Sequence, residues 1–362
     1  MPLDPASLRL RYLLALGLAP LTGCGSADTE CLLPAETGEC PTQAEAATAL
    51  VGEHCGYAVN AVTGPGTLQE VANTWESGSQ TLCCYPTLES QDVLTTCVVG
   101  RPYLEDGRMK TAPARRGRGW ARGRRPDVAA LTAVERAVLA RAWTEDALVE
   151  HASVAAFART TLELMAAGAP ADLLAAVQAA AADEVRHARV SFALAEAYAG
   201  APVAAGAFPL PSAVVIETDL PRLAASTFRE GCVGETVVAI LSARAAADAT
   251  DPAAQALLRL VARDEARHAE LAWRTLDWLL RAGGAAAHAA VSEAVEGLLR
   301  EGVQLTQITA GADDAVLRAH GRIRPAAAFE ARERAVREVI LPCIRARLAA
   351  GAGTTAGVNA EA

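Results

Sequence analysis

The feature that most constrains how this chain folds is a pattern that occurs twice. Glu150 is followed, after 32 residues, by Asp183-Glu184-Val185-Arg186-His187, and Glu230 is followed, after 33, by Asp264-Glu265-Ala266-Arg267-His268. Glu and His three positions apart share one face of a helix. Here that face is the apolar one. Val177, Ala180, Glu184, His187, Ser191 and Leu194 follow steps of three and four, and so do Leu258, Val261, Glu265, His268, Ala272 and Thr275. Glu150 and Glu230 stand on comparable lines, with Trp143, Ala147, Val154 and Phe157 around the first and Thr227, Gly234, Val237 and Leu241 around the second. This spacing marks amphipathic helices and turns six ionisable groups into one interior at one level. A single Asp-Glu-x-Arg-His could be an ion-paired surface face. Two copies, each preceded by an apolar-face Glu at a matched distance, do not fit that reading.

The surrounding sequence supplies the helix ends. Thr144 as N-cap and Gly168 as C-cap bound a first helix. A second runs from about Pro170 to Ala199, a third from Asp219, with Pro221 in its first turn, to about Ala249, and a fourth from Asp251 and Pro252 to about Gly283. The first and second, and the third and fourth, are joined so tightly that each pair is predicted to be an antiparallel hairpin. Between the pairs, residues 200–220 carry Pro202, Gly206, Pro209 and Pro211, enough extended chain to run the length of a bundle. The expected architecture is all-α: a four-helix bundle of two hairpins with one long crossover, over residues 128–285. Residues 286–350 are predicted to form accessory C-terminal helices and 351–362 a disordered tail. Composition agrees: residues are 52% hydrophobic but only 4% aromatic, with Ala dominant, which favours helix over sheet.

The first third reads differently. Arg9 and Arg11 precede an apolar stretch from Tyr12 to Leu21, of signal-peptide length and too short to span a bilayer. Leu21-Thr22-Gly23-Cys24 then resembles the bacterial lipobox, which implies a signal peptide over residues 1–23, lipidation at Cys24 and a membrane partner reached through a lipid anchor. Residues 24–106 form a Cys-rich module in which Cys31, Cys40, Cys55, Cys83, Cys84 and Cys97 are disulfide candidates, with 15 pairings open. Residues 107–127 read as a basic flexible linker. Eight basic residues and no acid lie between Gly107 and Pro126, so the remainder carries -17 of the overall -9. An acidic body excludes nucleic acid as the expected partner.

Four buried carboxylates together are costly unless compensated. Two divalent cations cancel their charge with both His neutral, and carboxylate plus imidazole suits iron or manganese. The predicted metal ligands are Glu150, Glu184, His187, Glu230, Glu265 and His268. Glu235 is the alternate to Glu230: it stands about 140° further round an α-helix. Repeat alignment favours Glu230, whereas a tighter hairpin register would favour Glu235. Asp183 and Asp264 are expected to hold the free ring nitrogen of the His in the opposite hairpin, with Arg186 and Arg267 pairing to them.

The doubled pattern resembles the ferritin-like di-iron carboxylate superfamily, and within it the O2-activating oxidases and oxygenases. The resemblance covers residues 144–282. Glu150 followed seven residues later by Phe157 is similar to the Glu-x6-Tyr of ferritins and rubrerythrins, with Phe in place of Tyr. It implies two iron ions, with manganese or a mixed iron–manganese pair as alternatives, an electron donor, and O2, peroxide or a small molecule as substrate. It implies an oxidoreductase, and the lipobox resemblance implies that this sits in the cell envelope, facing the periplasm. Gly25 after the lipidated Cys favours the outer membrane. Two other readings stay open: a ferroxidase or peroxide scavenger, and a non-enzymatic lipoprotein with a structural metal site.

Overall fold

The computed structural model describes residues 29–32, 40, 42–50, 52–54, 57–62, 64–72, 79–90, 101–105, 108–210, 214–301, 314–323 and 325–356. The expected signal peptide, Cys24, Cys55 and Cys97 lie outside them. The chain is mostly helical. Among the described residues no helix is long and apolar enough to cross a membrane.

The N-terminal part is built on strands: β1 (Thr29–Leu32), β2 (Gly52–His54), β3 (Tyr57–Val62), β4 (Thr67–Ala72) and β5 (Ser79–Ser90), with the short helix α1 (Gln43–Leu50) after β1. β5 pairs with β1, β3 and β4, all antiparallel. Cys31 stands opposite Cys84 across β1 and β5. Cys40 is disulfide-bonded. Two hairpin strands, β6 (Leu104–Glu105) and β7 (Arg108–Met109), follow.

The basic segment expected to be a flexible linker is laid against the helical body instead. Its strand β8 (Ala114–Arg116) pairs antiparallel with β9 (Val203–Ala205), which lies in the long connection between the helical pairs. Gly206 N–H donates to Pro113 O at 2.8 Å, and Arg122 N–H donates to Arg189 O at 3.0 Å. The anchors are apolar: Ala112 is buried, and Trp120 packs on Phe192 and His151. Charge keeps Arg116, Arg118, Arg122, Arg124 and Arg125 at the surface, while backbone pairing and these anchors fix the chain between them.

The helices are α2 (Ala133–Ala166), α3 (Ala171–Ala199), α4 (Leu220–Ser226), α5 (Thr236–Asp248), α6 (Pro252–Glu301), α7 (Asp314–Ala319), α8 (Pro325–Ala335) and α9 (Leu341–Ala356). A π-helical stretch, Thr227–Glu235, joins α4 to α5, and a shorter one, Val336–Ile340, joins α8 to α9. α2 packs along α3, α6 packs along α4, the π stretch and α5, and α3 meets α6.

The caps explain these limits. α2 begins earlier than expected because Thr132 and Glu135 form a reciprocal capping box: Glu135 N–H donates to Thr132 Oγ1 at 3.2 Å and Thr132 N–H to Glu135 Oε2 at 2.7 Å. Thr144 lies inside the helix and returns its hydroxyl to Ala140 O at 2.7 Å. Asp219 accepts from Arg222 N–H at 3.1 Å, and Asp251 from the N–H groups of Ala253 and Ala254, both at 2.9 Å. Gly200 closes α3 in the left-handed conformation, at φ 67°. Gly284, at φ 57°, interrupts α6 where the fourth helix was expected to end. The last helix continues to Ala356, so residues 351–356 are helical where a disordered tail was expected. Helical pairs pack through Ala and a few large side chains, among them Phe157, Phe192, Phe228 and Trp273, all buried.

Candidate metal centre

Six ionisable groups converge where the helical pairs meet. Glu150 comes from α2, Glu184 and His187 from α3, Glu235 from the π stretch, and Glu265 and His268 from α6. Two sets, Glu150 with Glu184, His187 and Glu265, and Glu235 with Glu265 and His268, each bring their ligand atoms within 4.8 Å of one another and could hold a metal ion.

The two helical pairs contribute in the same way. Glu184 places Oε2 3.7 Å from His187 Nδ1 and Oε1 3.1 Å from His268 Nδ1. Glu265 places Oε1 3.3 Å from His187 Nδ1 and Oε2 3.2 Å from His268 Nδ1. Glu150 Oε2 stands 3.4 Å from His187 Nδ1. Glu150 is the open side of the cluster, its side chain 16% exposed, whereas the other five groups are buried.

The supporting residues fix the imidazoles. His187 Nε2 lies 3.2 Å from Asp264 Oδ2, and His268 Nε2 lies 3.3 Å from Asp183 Oδ2. An ionised carboxylate only accepts, so Nε2 carries a hydrogen and Nδ1 faces the cluster. Arg186 donates to Asp183 at 2.7 Å and also to Asp264. Arg267 donates to Asp264 at 2.6 Å and to Asp183 at 3.0 Å, and Arg263 reaches Asp264 at 2.9 Å. Burial disfavours the Asp264 charge, but bonds from His187 and the three Arg residues outweigh it and hold the carboxyl well below the usual range. Asp183 is lowered against burial by His268, Arg186 and Arg267.

Inside this frame His187 Nδ1 and both oxygens of Glu235 are buried and, among the described residues, have no hydrogen-bond partner. Burial pushes Glu150 and Glu235 well up. Glu184 and Glu265 are lowered, because the two imidazoles outweigh burial. Both His are raised: burial opposes their charge, but Glu150 and Asp264 favour it on His187, and Glu265 and Asp183 on His268. Without cations these shifts favour protons on the two imidazoles and on Glu150 and Glu235. Divalent cations would satisfy the same oxygens and nitrogens by displacing those protons. The donor set fits a metal.

One expected ligand is displaced. Glu230 does not join the cluster; Arg159 holds its Oε2 at 3.2 Å. Glu235 takes the place, for two physical reasons. Glu235 and Glu265 each stand fifteen residues from Thr250, so an antiparallel hairpin sets them level, while Glu230 falls about 7.5 Å further along at 1.5 Å per residue. The π stretch, bonded i to i+5, then shifts the helix phase that a regular α-helix would have kept. Its small residues permit this. A Cβ on Gly231 would lie 2.7 Å from Ala272 Cβ, so the stretch packs backbone-close on α6.

Phe157 closes one wall, its ring 5.3 Å from that of His268. His151, next to Glu150, faces outward from the cluster, edge-on to Trp120 at 4.9 Å. The two cysteines beyond the N-terminal part, Cys232 within the π stretch and Cys343 on α9, are buried and form no disulfide. No protein-family model matches the chain, and no curated protein or solved structure matches it.

Proposed function

We propose that the chain is a ferritin-like carboxylate protein whose four helices form a bundle around two metal ions, iron in preference to manganese or a mixed pair, and that it acts as an oxidase or oxygenase on O2 or peroxide. The observation that carries this reading is that Glu184 and Glu265 each direct one oxygen toward His187 and the other toward His268. One position would be completed by Glu150 and His187, the other by Glu235 and His268. Two iron ions there would supply the electrons and Lewis acidity that reduction of O2 or peroxide needs.

The chain's own part is positioning and exclusion. Asp183 and Asp264 hold both Nδ1 atoms inward, and Arg186 and Arg267 fix those carboxylates. Burial of Glu184, Glu235 and Glu265 keeps water from the interior, and the partly open Glu150 is the side from which a small molecule would enter. Phe157 offers packing against His268 and no phenol for electron transfer. Lipid anchoring at Cys24 and a place in the cell envelope, on the outer membrane, belong to the same proposal; labelled fatty acid incorporated into wild type and absent from Cys24→Ala tests them.

The experiment is O2 uptake by the full chain loaded with Fe(II), beside a Glu184→Ala/Glu265→Ala variant. Uptake above that of free Fe(II), lost in the variant and sustained by added reductant, supports the oxidase. Uptake that stops once the iron is oxidised supports a ferroxidase instead. A static metal site is the second reading, favoured by the burial of five of the six groups, and it predicts bound metal with no uptake.

A further inference from the structure

Beside Phe157, whose ring also touches His268, lies a second, partly buried polar region, formed by Arg101, Arg159, Glu163 and Glu230. Its two cations are treated unequally. Arg159 donates to Leu104 O at 2.6 Å and to Glu230 at 3.2 Å, lies 3.7 Å from Glu163 and covers the Tyr103 ring at 4.8 Å. Arg101 is only 6% exposed, yet among the described residues it makes no hydrogen bond or ion pair, and its Nε is buried without a partner. Its guanidinium sits over the Phe157 ring, 5.5 Å from the centroid, and Cζ is 3.8 Å from where a Cβ on Gly231 would stand.

A buried guanidinium is costly unless an anion pairs with it. The bonds of the local anions go elsewhere: those of Glu230 to Arg159, and those of Glu163, which Arg101 reaches only through space, to Arg159 and the N–H of Glu217 at 3.5 Å. The two carboxylates match the two guanidinium charges, but among the described residues neither bonds Arg101, whose guanidinium faces a ring that also touches a metal-cluster imidazole. Two ring contacts, of 5.5 Å and 5.3 Å, separate Arg101 from His268. We propose that Arg101 anchors the carboxylate of a small organic acid, the substrate class of the neighbouring metal centre. The assignment as substrate rests on the metal-centre reading above. The planar fork of Arg matches a carboxylate in two parallel bonds, and a single charge suits a monoanion better than phosphate. The rest of the acid would lie along Phe157 toward the cluster.

The test is calorimetric titration of the full chain with acetate, benzoate and inorganic phosphate, in metal-free and iron-loaded forms, with metal content measured alongside. The metal-free arm removes carboxylate binding to the metal itself. The expected result is that benzoate binds the metal-free wild type and binds Arg101→Met at least about tenfold more weakly, with bound iron unchanged. Should Arg101→Met not fold, Arg101→Lys keeps the charge without the fork, and the expected affinity is intermediate. No carboxylate binding to wild type in either form, or binding indifferent to both substitutions, overturns the proposal. Arg101-dependent binding of phosphate in place of carboxylates overturns the ligand class. Arg101-dependent benzoate binding in a chain that takes up no metal upholds the acid site and overturns its assignment to a metal-centre substrate.

Discussion

His187 on α3 donates from Nε2 to Asp264 on α6 at 3.2 Å, and the mirror bond joins His268 to Asp183 at 3.3 Å. Each helical pair thus orients the imidazole of the other, and neither half of the cluster is complete alone. Asp264→Asn keeps the shape but replaces an obligate acceptor with an amide that donates as readily. It should weaken metal binding about 10- to 100-fold, measured by competition with a chelator, while Arg263→Gln, which removes only one exposed contact to Asp264, should change it little.

Glu235 and Glu230 should separate cleanly. Glu235→Ala removes a buried ligand candidate and should lower bound metal to one ion per chain or fewer. Glu230→Ala breaks only the pair with Arg159, so metal content should stay as in wild type and stability fall by about 1 kcal/mol. Elemental analysis and urea unfolding of both variants check this.

The metal-free protein should lose stability as pH rises. His187 and His268 have folded pKa values well above their ordinary 6.5, so the folded state binds more protons than the unfolded chain above that value. Their contribution is fully present below pH 6.5 and is lost as pH climbs through the raised values. Glu150 and Glu235, raised from 4.5 by burial, act in the same direction. The lowered Asp183 and Asp264 act oppositely, and their contribution is lost only in acid. The thermal midpoint of the metal-free chain should therefore fall from mildly acid to alkaline pH. Metal uptake should release protons and tighten as pH rises, and calorimetry in buffers of different ionisation enthalpy reads that release.

Gly231→Ala tests the close approach of the π stretch to α6. Its Cβ would meet Ala272 Cβ at 2.7 Å, with no flexible side chain to yield. Overpacking of this kind costs about 1–3 kcal/mol, which outweighs the gain of about 1 kcal/mol that Ala brings to a helix. Because Glu235 lies four residues on, metal affinity should fall together with the unfolding midpoint.

Local signals made much of this legible from sequence. Asp219 and Asp251 cap where their short side chains reach the next N–H groups, and Glu-x-x-His reads as one face because the helix period is fixed. Repeat alignment points to Glu230, but the antiparallel register about Thr250 sets Glu235 level with Glu265, and the π stretch shifts the phase with no distinctive residue beyond Gly231 and Gly234. Thr144 has the residue type of an N-cap, but Thr132 is the cap, because Glu135 three residues on completes its capping box. The basic segment looked like a solvated linker because charge dominates its composition, but its order comes from backbone pairing of β8 with β9, some ninety residues away. Arg101 carries no sequence signal, since its isolation depends on which carboxylates Arg159 has already taken.

The central claim is that the doubled Glu and His set holds two metal ions, and metal content tests it most directly. The full chain is reconstituted with iron and separately with manganese, desalted, and its bound metal counted beside the Glu184→Ala/Glu265→Ala variant. The account predicts about two ions per chain in wild type and none in the variant. No bound metal in either protein with either ion would contradict it and leave the cluster a buried, protonated ion-pair network.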